Sequence, residues 1–408
     1  EREKAVGVPV YDGDRAEKMQ GAQLVGYTAA MLKGNPEVEE TQRRGIPTVE
    51  RSVLLGYVAN TYPCPICIAG THGKTTTTAM TVQIMVMAGL DPAAVIGGKL
   101  PLIDGYGRYG AGRNIVVEAC EYHNTFLQLV PHTSVVLNID ADHLEFFKTM
   151  DNLKAAFRKF ALLTEHRVIA NIDDANTLAA VDDIDRDVRT FGVHQQADYR
   201  AVNVREYRPS FFEFDVAVHG VPGVHVRLSV PGYHNVYNAL AAYACAEGAG
   251  CTPGQCAQGL AAFRGAGRRF EILGEVNGVT IADDYAHHPT ELEATLRAAK
   301  EMDYNQVWAV FQPFTYSRTQ MLLDEFARVL PIADHVVMTE IMGSRERAED
   351  YTVRTKDLAA KIPGSVWFST FDEVVNHVLA HAKPGDLVIT LGCGDIYKAA
   401  KMMMARAQ

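Results

Sequence analysis

Short apolar runs alternate with longer amphipathic stretches along most of this chain. Ile66 to Ala69 reads as a buried strand, and a turn from Gly70 to Thr75 leads into a helical pattern from Thr76 to Ala88 that stops at Gly89. Ile115-Val116-Val117 and Val135-Val136-Leu137 are further apolar runs, each followed by polar residues. Strands that alternate with helices in this way predict a mostly parallel sheet covered on both faces. From Tyr199 to Val230 the period changes: Phe212 and Phe214, then Val224, Val226 and Leu228, alternate with other residues. That stretch is expected to be a smaller, more antiparallel insertion, followed by a helix from Val236 to about Glu247. Beyond Arg268 the strand candidates are Val279 to Ala282, Val307 to Phe311, His335 to Met338, Val366 to Phe368 and Leu387 to Leu391, separated by helical patterns. This is a second doubly wound α/β unit. Before all of it, a short strand at Leu24-Val25, Asn35-Pro36-Glu37, a polar helix and Gly45-Ile46-Pro47 read as the tail of a small α/β domain, closed off by Pro63 and Pro65.

Length and composition agree with several packed cores. The chain has 408 residues, of which 48% are hydrophobic and 22% charged. A net charge of −10 argues against nucleic-acid backbone binding but leaves room for a local basic pocket. No run of 18 apolar residues occurs, so no membrane insertion is expected. The seven cysteines are an odd number and fit a reducing, cytoplasmic setting. Cys64 and Cys67 form a CxxC without a second pair at zinc-site spacing, and read as buried apolar cysteine before metal or redox sites. Nothing here bears on oligomeric state.

The chemistry concentrates at strand ends. Gly70-Thr71-His72-Gly73-Lys74-Thr75-Thr76 follows a strand and opens a helix, the context a phosphate loop requires. Glycines let backbone N–H groups approach phosphates, the helix N-terminus favours anions, Lys74 reaches the terminal phosphates and the Thr75 hydroxyl suits Mg²⁺. The first glycine of the generic motif is replaced by Ile68. Glu118 and His143 each follow an apolar run, where ligands bind in open α/β sheets. They are candidates to hold a divalent metal beside Thr75, set against a merely solvated carboxylate. Asn235 and Asn238 share a helix face and present paired donors and acceptors suited to an adenine edge; the competing reading of Asn235 is a helix cap. Asp283-Asp284-Tyr285-Ala286-His287-His288-Pro289 is a poor core segment and suits a polar cleft. Arg318 follows the next strand, and Arg268-Arg269 stand at a domain junction, where an arginine either stabilises a transferring phosphoryl group or makes a surface ion pair.

Taken together and in order, Gly70 to Thr78, Glu118-Ala119-Cys120-Glu121, Asn138 to His143, Gly232 to Asn238, Arg268-Arg269-Phe270, Asp283 to Pro289 and Gly392 to Asp395 resemble the Mur ligases across almost the whole chain. The resemblance implies three domains: residues 1–62 as an incomplete, Rossmann-like UDP-substrate domain, 63–266 as a phosphate-loop ATP domain, and 267–408 as a Rossmann-like amino-acid domain. Thr-His-Gly-Lys together with Asp-Asp-Tyr-x-His-His-Pro points within the family to addition of L-alanine to UDP-N-acetylmuramate, with ATP and Mg²⁺, through an acyl phosphate. It also implies roles. Gly70 to Thr76, Asn235, Asn238, Arg269 and Asp284 would hold ATP. Thr75, Glu118 and His143 would organise metal. Lys74, Glu118, His143 and His288 would carry the chemistry, and Tyr285, His287, His288 and Arg318 would line the amino-acid site. Two departures stand out. The family's glycine-rich UDP loop is not found in residues 1–22, which implies a truncated first domain and a weak hold on the UDP-sugar. Phe314 and Thr315 occupy positions where His and Arg are common, so alanine recognition is expected to lean on His288 and Arg318. The rival readings are a recycling ligase that attaches a tripeptide to the same acceptor, a folate- or cyanophycin-type ligase, and a nucleotide-binding protein without ligase activity.

Overall fold

A computed structural model describes residues 7–11, 13–28, 34–344 and 346–406. The chain divides into two compact units, Glu1–Val58 and Ala59–Gln408. The first is small. Strands β1 (Val25–Tyr27) and β2 (Thr48–Glu50) pair in parallel. The helix Pro36–Arg44 between them starts where the Asn35 side chain accepts the Glu37 and Val38 N–H groups, and ends at Gly45 in the left-handed conformation.

The second unit carries two sheets. The ten-stranded sheet contains β3 (Cys64–Ala69), β4 (Ala93–Leu100), β5 (Gly105–Arg108), β6 (Asn114–Glu118), β7 (Thr133–Val136), β8 (Arg167–Asn171), β9 (Asp187–Gly192), β10 (Tyr199–Arg208), β11 (Phe211–Val218) and β12 (Val221–Arg227). Their order across the sheet is β12-β11-β10-β9-β8-β7-β3-β6-β4-β5. β3 lies between β6 and β7, parallel to both. It is buried from Pro65 onward, which explains its unbroken apolar sequence. The helices Lys74–Met87 and His234–Gly248 close over the sheet and supply much of its core, including Met80, Ile84, Leu240 and Tyr243. The stretch expected as a smaller, more antiparallel insertion does hold the antiparallel strands, and it extends the main sheet. β10 pairs in parallel with β9, and β11 and β12 continue outward as antiparallel strands of the same sheet. One buried face serves both halves, so the change in period marks a change of strand direction rather than of domain.

The six-stranded sheet has the order β13-β14-β18-β15-β16-β17. It is built from β13 (Glu271–Val276), β14 (Val279–Asp284), β15 (Val307–Phe311), β16 (His335–Thr339), β17 (Val366–Phe368) and β18 (Leu387–Leu391). All pairs are parallel except β13 with β14. β13 escapes a reading by apolar periodicity because it is an edge strand with exposed Ile272 and only Val276 fully buried. The architecture is α/β throughout the second unit. Among the described residues, no helix is long and apolar enough to cross a membrane.

Candidate active site

The loop after β3 is shaped by two glycines that cannot be replaced without collision. Gly70 has φ +144°, and a Cβ there would sit 2.8 Å from Leu137 Cβ. Gly73 has φ +86°, and its Cβ would sit 2.4 Å from Asn238 Oδ1. Asn138, just beyond β7, pins the loop: its Oδ1 accepts His72 N–H at 2.8 Å, its Nδ2 donates to His72 O at 3.0 Å, and its carbonyl accepts Thr71 N–H at 2.9 Å. The helix begins at Lys74, two residues before the position expected from apolar spacing, so Lys74, Thr75 and Thr76 occupy its first turn. Lys74 Nζ donates to Thr71 O at 3.0 Å and lies 2.9 Å from Glu121 Oε2. Burial is the largest influence and opposes its charge, but Glu121, Cys120 and Glu118 together outweigh it and hold the ammonium above its ordinary range.

Glu118 ends β6 and points at the same loop. Its Oε1 accepts the Thr75 hydroxyl at 2.9 Å and its Oε2 accepts Gly97 N–H at 2.7 Å. Arg269, just before β13, donates from Nη2 to Thr75 Oγ1 at 3.2 Å. Arg268 instead is a strut: it donates to Asp283 Oδ2 at 2.8 Å and to Gly392 O at 2.6 Å. His143 stands beside Glu121 (Nε2 to Oε1, 4.0 Å) and Asp142 (3.7 Å). The structure thus brings Thr75, Glu118 and Arg269 together, with His143 grouped around Glu121.

A cavity of about 420 Å³ opens next to the loop, lined by His72, Gly73, Thr76, Asn138, Asn235, Asn238, Arg269 and Asp284 among others. That volume suits a small ligand. Asn235 does not cap its helix: it lies inside the first turn, and its Nδ2 donates to Pro231 O at 2.7 Å. Asn238 donates to Asn235 Oδ1 at 2.9 Å, which fixes both amides at the cavity wall. Burial pushes the Asp284 carboxyl up to about 6, opposed by Arg269 and by N–H groups of Ala286 and Phe270, each 2.7 Å away.

Tyr285, His287 and His288 follow β14 and reach the helix Pro289–Glu301. Tyr285 lies under the guanidinium of Arg269, 4.9 Å from ring centre to carbon. Arg318 and Asp142 form a buried pair at 2.8 Å. Arg318, with His143, His287 and His288, holds the Asp142 carboxyl well below the usual range despite burial. Phe314 meets the His287 ring edge-on at 6.5 Å.

The two sheets are tied through the loop histidine. His72 Nε2 lies 3.0 Å from Asp140 Oδ2 and Nδ1 lies 3.2 Å from Glu291 Oε1; Thr290 Oγ1 donates to the same Asp140 oxygen at 2.8 Å. Burial lowers the His72 pKa, but the two carboxylates outweigh it and raise the pKa to about 9. The folded value stands above the ordinary value of about 6.5, so this link stabilises fully below about pH 6.5 and is lost as pH rises through about 9. Thermal melts of the parent and His72→Gln from pH 6 to 10 check this. The parent's advantage should shrink between pH 6.5 and 9, and a constant gap would rule out a titrating His72.

Among the described residues His72, Asp140 and His288 also place one donor atom each within 4.8 Å of the others, a spacing a metal ion can use. The hydrogen bonds speak for a charged network instead. Both His72 nitrogens face carboxylates, and His288 Nδ1 accepts Thr290 N–H at 3.3 Å, which leaves the hydrogen on Nε2. Thr75 and Glu118 offer paired oxygen donors and fit Mg²⁺ better. Sequence reasoning did not single out Glu121, Asp140, Asp142 and Glu291. Glu291 was legible as the third residue of a capping box opened by His288. The other three lie inside segments whose neighbours drew attention.

Residues 68–246 match the Mur ligase middle domain, and residues 268–394 match the domain described as Mur ligase, glutamate ligase domain. The UDP-N-acetylmuramate–L-alanine ligase of Acetivibrio thermocellus is 40% identical over 98% of this chain and 87% of its own length. That of Alkaliphilus metalliredigens is 39% identical over 98% and 88%. The crystal structure of UDP-N-acetylmuramate–alanine ligase from Thermotoga maritima superposes with a TM-score of 0.83 at 26% identity, covering 99% of this chain and 89% of that one. A MurF ligase from the same organism in complex with ADP shares the fold at a TM-score of 0.71 and 16% identity. With both domain models matched and relatives this similar over nearly its whole length, the chain belongs to the Mur ligase family.

Proposed function

We propose that this chain joins L-alanine to the lactyl carboxylate of UDP-N-acetylmuramate with conversion of ATP to ADP and phosphate, a step of peptidoglycan precursor synthesis. One observation carries the reading: His72 of the phosphate loop lies between Asp140 and Glu291 and 5.3 Å, ring to ring, from His288, so the loop abuts the histidine-rich start of the helix Pro289–Glu301. A nucleotide-binding protein without transfer chemistry has no need of that second wall. The relatives named above carry the same activity in their names.

The residues divide the work by chemistry. The cavity beside Asn235 and Asn238 takes adenosine, and the loop N–H groups from Gly70 to Thr76 take the phosphates. Lys74 leaves Glu121 for the γ-phosphate and neutralises charge as the lactyl carboxylate attacks it. Thr75, Glu118 and His143 hold Mg²⁺, which supplies further charge neutralisation at the phosphates when bound. Arg269, on Thr75, stabilises the same charge from the domain junction. The acyl phosphate is then attacked by the alanine amine, with Tyr285, His287, His288 and Arg318 around the amino acid. The test is ADP release by the purified chain. Release should require UDP-N-acetylmuramate, L-alanine and Mg²⁺ together, and the tripeptide L-alanyl-γ-D-glutamyl-diaminopimelate should not replace alanine. Release with the tripeptide in preference to alanine would assign the recycling reaction, and release independent of any acceptor would remove the ligase reading.

A further inference from the structure

Away from the phosphate loop, three imidazoles gather near the amino ends of β15 and β16. His335 opens β16, and its ring stacks on Trp308 of β15 with centres 3.9 Å apart. His377 and His381 come from the helix Phe371–His381, and their rings lie 4.4 Å apart. His377 also packs against Phe368 at 5.1 Å and Trp308 at 6.3 Å. The candidate active-site segments, by contrast, follow the carboxyl ends of β3, β6 and β14. The four-residue spacing puts both helix histidines on one face. Packing alone accounts for the rings but not for the nitrogens. His381 Nδ1 lies 2.8 Å from His377 O, which only accepts, so Nδ1 carries the hydrogen and Nε2 is a bare lone pair. Metal-binding histidines are fixed in this way, with one ring N–H on a backbone carbonyl and the other nitrogen on the ion.

The surroundings leave these lone pairs unclaimed. The ionisable groups that bear on His377 are His381 and His335, with no carboxylate among them, and among the described residues its ring makes no hydrogen bond. The acids of the same helix are engaged elsewhere: Asp372 pairs with Arg406, and Glu373 accepts from Thr370 at the helix start. His335 turns Nε2 toward Gln306 Oε1 at 2.6 Å, which leaves its Nδ1 bare as well. His381 is also the last residue of an eleven-residue helix, where the carbonyl dipoles favour positive charge. We propose that His377 and His381 bind a divalent transition-metal ion of the imidazole-preferring kind that includes Cu²⁺ and Zn²⁺. The His-x-x-x-His spacing on a helix is the one by which two imidazoles share a zinc ion. With two protein donors the remaining positions go to water, so the ion exchanges freely, unlike one in a closed structural site. Mg²⁺ takes oxygen donors and does not compete. The site stands apart from the ligase reaction and does not rest on it.

Copper titration of the full chain tests this. CuCl₂ is added with ADP and MgCl₂ present, so that the phosphate loop and its oxygen donors are occupied, and tryptophan emission is followed. The chain has two tryptophans, Trp308 and Trp367, on β15 and β17 of the same sheet, so emission reports on this region. Bound Cu²⁺ quenches a nearby indole, and the parent should show saturable, one-site quenching. His377→Gln and His381→Gln should each raise the Cu²⁺ Kd about tenfold or more, since even a group that merely orients a metal ligand is worth that much. Both variants should keep the parent far-ultraviolet circular dichroism, because His381 is exposed and His377 half-buried at a helix end. His72→Gln should leave the copper curve unchanged. Absence of saturable quenching in the parent overturns the proposal. So does an equal Kd in the parent and both helix variants, and so does loss of quenching in His72→Gln, which would put the ion beside the phosphate loop.

Discussion

Lys74→Ala should lower the turnover number by about 10³-fold or more, since it removes a positive charge from the point where phosphoryl transfer develops negative charge. The site is built for that charge. Lys74 sits in the first helical turn after a loop that two glycines hold against Leu137 and Asn138, and its ammonium is placed by Thr71 O and Glu121. The substitution also leaves the Glu121 carboxylate, 2% exposed, without its cation, so thermal stability should drop as well. Phosphate release at saturating substrates, with circular dichroism as a check on folding, separates the two effects. A folded variant within about tenfold of the parent rate would mean that Lys74 does not act on the transferring group.

Arg318→Met should destabilise the protein by about 3 kcal/mol, the cost of leaving one member of a buried ion pair without its partner. Asp142 would be that member: the pair is only about a tenth exposed on either side, and the Arg318 guanidinium is the leading influence that keeps the Asp142 carboxyl ionised. Methionine preserves much of the side-chain volume, so the loss is electrostatic rather than a cavity. The double variant Arg318→Met/Asp142→Asn should regain most of the stability, because neither charge is then buried alone. It should not regain activity, since the cation expected beside the amino-acid carboxylate is still absent. Equilibrium denaturation and kcat/KM for L-alanine read the two properties independently. A fully stable single variant would deny the buried pair, and a double variant with parental kcat/KM would deny Arg318 a part in recognition.

What the sequence determined by itself is the most strongly apolar and periodic of the local elements. The strand at Ile66 to Ala69, the turn and the helix after it were legible because apolar runs, glycines and a Lys-Thr-Thr start follow from short-range sterics and hydrogen bonding. The β15 and β18 strands were legible for the same reason: both are buried throughout and bounded by polar residues. The placement of Glu118 and the β14 histidines at strand ends followed from the rule that open sheets bind ligands there. What only the tertiary structure decided is which side chains meet across long separations. Glu121 on Lys74, Asp142 on Arg318 and Glu291 on His72 join positions 47, 176 and 219 residues apart. No periodicity encodes such pairs. Each carboxylate looks like an ordinary solvated acid until folding buries it, and burial makes an ionised group depend on a partner of opposite charge. The union of β10 to β12 with the parallel sheet was hidden likewise, because strand alternation reports a half-buried face but not the strand that lies alongside.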